Sequence, residues 1–155
     1  MLACGEDLGM VPDCVPGVMD HWKILSLEMT QMDKGRDWPI LSVCATSSHD
    51  MSTLRMQNAE SGKGDMASWE IKRVLGNHLN SKCMLAIFPL QDWVALDENL
   101  RRKDFMEERI NQPSDPNHHW KYRFHIPIEE LTSEIANELN LQIEGLLKDS
   151  GRFFL

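Results

Sequence analysis

The sequence predicts an α/β fold built on parallel strands, and three observations predict it. Short apolar segments recur along the chain, each followed by turn or helical material. The two most compact, Ile40 to Ala45 and Met84 to Leu90, are apolar almost throughout, the pattern of strands covered on both faces. Three of the segments then end in polar or acidic groups: Gly5-Glu6-Asp7, Ser48-His49-Asp50 and Gln91-Asp92.

Taken in order, Met1 to Cys4 reads as the first strand. Val11 to Trp22 follows as a helix, with Val15, Val18, Met19 and Trp22 on one face and Asp13 as its N-cap. Pro16 falls in its first turn, where a missing N–H is tolerated. Ile24 to Met29 is the second strand, Ile40 to Ala45 the third and Met84 to Leu90 the fourth. Ser61 to Asp65, with Gly62 and Gly64, is a flexible loop. Ser68 to Leu79 is an amphipathic helix whose apolar face carries Trp69, Val74, Leu75 and Leu79, weakened by Gly76. Arg109 to His119, polar and holding Pro113 and Pro116, is a long loop. The clearest helix is the last. From Glu129 or Glu130 to Lys148, the side chains of Leu131, Ile135, Leu139, Ile143, Leu146 and Leu147 fall on one face, with Thr132 and Ser133 in the first turn.

Length and charge narrow the function classes. At 155 residues the chain suits one domain with no second. The net charge of −8, spread along the chain, argues against a nucleic-acid backbone as partner, because displacing counterions takes clustered cations. No apolar run approaches the ~20 residues of a membrane helix, so no membrane partner is expected. The N-terminus lacks the basic and apolar regions of a secretory signal. Cys4, Cys14, Cys44 and Cys83 lie far apart without ligand spacing, which reads as reduced thiols in a cytoplasmic protein.

Parallel α/β sheets build their sites at the C-terminal ends of several strands at once. Glu6, Asp7, Asp50 and Asp92 therefore fall on one rim. Grouped carboxylates support divalent-cation binding through oxygen, or glycosyl transfer by an acid/base and an opposed carboxylate. The plainer alternative makes Glu6 and Asp50 solvated starts of the following helices. His49 beside Asp50 is a sugar ligand, a metal ligand or a structural histidine, while the pair His118-His119 reads as solvated. Of the tryptophans, Trp22 and Trp69 fall on apolar helix faces and read as core. Trp93 and Trp120 stand beside the rim segments, where a flat ring can stack on a sugar.

These segments together resemble a known family. Cys4-Gly5-Glu6-Asp7-Leu8-Gly9, Val43 to Asp50, Pro89-Leu90-Gln91-Asp92, Arg109-Ile110-Asn111 with Pro113, and Asn117 to Trp120 occur in the order found in the 4-alpha-glucanotransferases of glycoside hydrolase family 77. The resemblance runs from Leu2 to about Arg123. It implies a (β/α)8 TIM barrel, of which this chain is the C-terminal part, and retaining transfer of α-1,4-glucan segments between maltodextrins. It implies Glu6 as general acid/base and Asp50 as the carboxylate that holds sugar hydroxyls and stabilises the transition state. His49, Asp7, Gln91, Asp92 and Asn111 are then expected in the substrate cleft. Neither metal nor organic cofactor is required.

The chain also departs from the family. Its nucleophile is an aspartate in a motif reading Arg-Ile-Asp-His, and no such string occurs here. The stretches from Gln31 to Pro39 and from Arg55 to Ser81 are short against the family. Part of a barrel leaves open sheet edges and an apolar face toward water, so the missing barrel half is the expected partner. The alternative to an incomplete transferase is a non-catalytic glucan-binding or decayed fragment of one.

Overall fold

The computed structural model describes residues 2–32, 37–118 and 120–152; Met1 and His119 lie outside them. Among the described residues the α-helices and strands follow in the order α1 (Val15–Trp22), β1 (Ser26–Glu28), β2 (Ser42–Ala45), α2 (Leu54–Glu60), α3 (Ser68–Leu79), β3 (Leu85–Ile87), α4 (Leu90–Val94) and α5 (Asn137–Asp149). The three strands form a parallel sheet in the order β1-β2-β3, with Leu27 beside Val43 and Val43 beside Leu85. The N-terminal segment adds to the β1 edge through a parallel bridge between Cys4 and Leu25. There Leu25 N–H donates to Ala3 O and Gly5 N–H to Leu25 O. The expected α/β fold, parallel pairing and strand neighbours are all present.

One face of the sheet is covered over β2 and β3. Cys44 Sγ lies 3.5 Å from His78 O of α3, and burial pushes its thiol up to about 11. Ala86 and Phe88 pack into a cluster formed by Leu54, Ile71, Leu75, Val94, Leu139 and Leu146 with their neighbours. The other face differs from expectation: only β2 is buried on both sides, and Ile87 of β3 is 58% exposed. The crossover from β1 to β2 holds only a short 3-10 turn, Thr30–Met32, among its described residues. Parallel crossovers ordinarily carry a helix that covers the sheet. Where that cover would lie, an apolar cavity of about 1010 Å3 opens between Val15 and Met19 of α1 and Ile24, Ile40 and Leu41. The other stretch read as short, from Arg55 to Ser81, contains most of α2 and all of α3.

Several local expectations are corrected. Helix α1 starts at Val15 without an Asp13 cap; Cys14 occupies the N-cap and only Met19 of the apolar face is buried. Trp22 is 70% and Trp69 65% exposed, so neither is core. The last helix begins at Asn137 rather than Glu129. Before it, Ser133 Oγ donates to Glu130 O and Thr132 Oγ1 to Glu129 O, local bonds that compete with the helical ladder. Ser133 is extended and separates two 3-10 turns, and Ile135 is exposed. Leu90, read as the end of a strand, opens α4 instead, which puts Gln91 and Asp92 on a helix.

Candidate functional site

Because the strands are parallel, Glu6 and the Thr46 to Asp50 segment emerge at the same end of the sheet. Two strand spacings, roughly 10 Å, separate their backbones. Gly5 lets this segment approach α1: a Cβ there would stand 3.2 Å from Met19 Cε. Glu6 is exposed. Asp7 turns back on the sheet, its Oδ1 accepting Leu27 N–H at 2.9 Å and continuing the backbone ladder with a side chain.

Asp50 lies at the centre of a compact polar group. Its Oδ1 accepts from Asn111 Nδ2 at 2.7 Å, and its Oδ2 lies 3.3 Å from His49 Nε2. Both side chains of the His49–Asp50 pair remain open to solvent. The imidazole faces the ring of Trp120 at 5.6 Å between centroids, and Trp120 is 60% exposed. A carboxylate fixed from two sides beside an open aromatic face has the character of a sugar site, with hydrogen-bonding groups for hydroxyls and a flat ring for stacking. Trp93 instead packs edge-on against Phe88 at 5.2 Å, against the core.

Gln91, Asp92 and Asn111 were expected to line the cleft. They lie mostly beneath it. Asn111 is buried and reaches outward only through Asp50. Asp92 is 1% exposed; its Oδ2 accepts from Thr46 Oγ1 at 2.6 Å and its Oδ1 from Leu54 N–H at 3.0 Å. Burial pushes its carboxyl up to about 6, against the pull of those two donors. A group so enclosed cannot touch a sugar. Gln91 is also buried and donates to Glu108 O at 3.4 Å.

Beneath the rim runs a charged network with no counterpart in the expected site. Arg55, 1% exposed, pairs with Asp65 through Nε and Nη2, both at 2.8 Å, and with Glu108 through Nη1 at 2.6 Å. Glu108 also accepts from Thr53 Oγ1 at 2.9 Å. Burial raises the Glu108 carboxyl, while the hydrogen bonds from Arg55 hold that of Asp65 below its usual range. Apolar spacing carries no sign of this network, because α2 buries an arginine between Leu54 and Met56. The nearest signal is the arginine itself, set in the middle of an otherwise apolar turn. Among the described residues, no three His, Cys, Asp or Glu side chains converge to hold a metal ion, and no helix is long and apolar enough to cross a membrane.

Comparison with known proteins adds an independent line. The sequence profile of the family described as 4-alpha-glucanotransferase matches residues 1–129. The 4-alpha-glucanotransferase DPE2 of Oryza sativa subsp. japonica is 32% identical over 183 residues, covering 99% of this chain and 19% of the rice protein. A 4-alpha-glucanotransferase of Chlamydia pneumoniae is 26% identical over 172 residues, covering 95% of this chain and 32% of its own length. Among solved structures, amylomaltase from Streptococcus agalactiae in complex with acarbose matches at a TM-score of 0.67 and 12% identity, over 94% of this chain and 31% of that one. At that identity the likeness is one of fold. The chain thus spans only 19% to 32% of the length of these relatives.

Proposed function

The chain belongs to the 4-alpha-glucanotransferase family, and on that premise we propose that its rim is one side of a site for retaining transfer of α-1,4-glucan segments between maltodextrins. In this reading the chain is the C-terminal portion of a (β/α)8 catalytic barrel in the cytoplasm, and the remaining strands come from sequence it does not contain. The observation that carries the reading is the Asp50 cluster: a carboxylate held by Asn111 and His49, exposed beside Trp120, at the C-terminal end of a parallel sheet. Glu6 protonates the leaving glycosidic oxygen and afterwards takes the proton from the acceptor hydroxyl. Asp50 accepts hydrogen bonds from the sugar hydroxyls, and its negative charge favours the oxocarbenium-like transition state. Trp120 offers a ring on which a glucose unit stacks.

Covalent retention needs a second carboxylate as nucleophile, and the family's Arg-Ile-Asp-His string is absent from this sequence. The chain by itself is therefore expected to hold glucan without transferring it. Incubation with maltotriose, followed by chromatography of the products, should yield neither glucose nor longer oligomers. Transfer that disappears on Glu6→Gln would overturn the incompleteness and keep the site. Transfer that survives Glu6→Gln would overturn the role given to Glu6.

A further inference from the structure

Helix α4 lies under the rim, and its two polar residues point in different directions for a shared reason. Thr46 is the first residue beyond β2, and Leu54 is the first residue of α2. The loop between them carries His49 and Asp50. Asp92 bonds both of its ends, through the Thr46 hydroxyl at 2.6 Å and the Leu54 N–H at 3.0 Å. The Leu54 N–H is an orphan donor at the start of α2, and no side chain on α2's own N-cap satisfies it. Gln91 meanwhile bonds the backbone of Glu108, just before the segment that brings Asn111 to Asp50. Val94, one turn further along α4, is buried in the central cluster, which ties this helix to the core.

We infer that Asp92 is a positioning residue, a clamp between Thr46 and Leu54 that fixes the loop presenting His49 and Asp50 to a glucan. Gln91 supports the opposite wall in the same way. Where it concerns glucan, the inference rests on the proposed function. Its physical content is preorganisation: a carboxylate that must meet a sugar at a set distance works best when its own loop has nothing left to settle. A carboxylate is suited to the clamp because it offers two acceptor oxygens and needs no proton of its own to make both bonds. Asn at the same position keeps the carbonyl acceptor for Leu54, and the Thr46 hydroxyl can turn to accept from its amide. Ala keeps neither bond.

The test compares Asp92→Ala, Asp92→Asn and Thr46→Val with the unaltered chain, using amide hydrogen exchange without sugar and calorimetry with maltoheptaose. The clamp predicts exchange across residues 46–54 faster by about tenfold or more in Asp92→Ala, with α3 and α5 within about twofold. Asp92→Asn should lie closer to the unaltered chain. Thr46→Val, which removes only the hydroxyl from the clamp, should reproduce the local loosening even if Asp92→Ala fails to fold. Affinity for maltoheptaose should fall by about tenfold in whichever variant loosens the loop. Exchange that rises uniformly through α3 and α5, or a loop that exchanges as before, would overturn the clamp. If the unaltered chain binds no maltoheptaose, the proposed function fails, while the exchange result still decides whether Asp92 sets the loop.

Discussion

On the β3 flank of the sheet, α3, α4 and α5 close over Cys44, Ala86 and Phe88, and the buried cluster of the molecule lies there. On the β1 flank the described residues of the crossover hold only a short 3-10 turn, α1 buries only Met19 of its apolar face, and a cavity of about 1010 Å3 remains beside it. Helix α1 is more apolar than α3 and α5, so the difference does not come from composition. It comes from whether a covering helix lies over the strand. An amphipathic stripe becomes core only when something packs against it, and α1 lacks much of that packing.

The sharpest way to strain this contrast is at Arg55. It is buried on the covered flank with Asp65 and Glu108 as partners, and Arg55→Leu leaves the buried Glu108 without its counter-charge and Asp65 with Arg101 at 3.9 Å. A loss of about 3–5 kcal/mol is expected, enough to abolish a cooperative transition in a urea titration of a marginal domain. A smaller loss would mean that the network is solvated and the flank less tightly closed.

Next comes a matched pair of truncations. Leu75→Ala, in the centre of the cluster, should cost about 2–5 kcal/mol because its neighbours cannot collapse into the space. Met19→Ala, on the wall of an existing cavity, should cost less than about 2 kcal/mol, since it enlarges a space already open. Equal losses in urea titrations would break the comparison between the flanks.

The third effect is a dependence on pH. The folded Asp92 carboxyl sits at about 6, above its ordinary 3.8, so the folded state keeps that proton longer than the unfolded chain. Its contribution is therefore full below about pH 4 and is lost as pH rises through about 6, on the order of 3 kcal/mol in all. Glu108, whose charge adds to the upward push, titrates in both the unaltered chain and Asp92→Asn. The melting temperature of the unaltered chain should accordingly fall relative to that of Asp92→Asn as pH is raised from about 4 to about 6. A difference that stays constant would show that Asp92 is solvated.

Much of this architecture was legible in the residues. Strand order, parallel pairing and the exact span of α3 follow from apolar runs separated by polar stretches long enough for crossovers. The exposed Asp50 and His49 were legible too, because polar residues just past an apolar strand have to lie at its end. What escaped was tertiary. Trp22 and Trp69 lie on apolar helical stripes, yet both stay largely exposed. Helix α2 was hidden because its buried face includes Arg55, whose charge is neutralised by Asp65 and by Glu108, far along the chain. Gln91 and Asp92 looked like cleft residues because their sequence position marks the end of a strand. The strand stops at Ile87, and the Pro89 turn into α4 places both side chains below the rim.

Titration calorimetry with maltoheptaose decides whether the Asp50 cluster holds glucan. The unaltered chain should bind in the millimolar range or tighter. Asp50→Asn should bind at least about tenfold more weakly, with its melting temperature nearly unchanged because the side chain is exposed. Trp120 fluorescence should respond to the sugar in the same titration, since its ring lies beside His49. No binding at millimolar sugar, or equal binding by Asp50→Asn, would contradict the account.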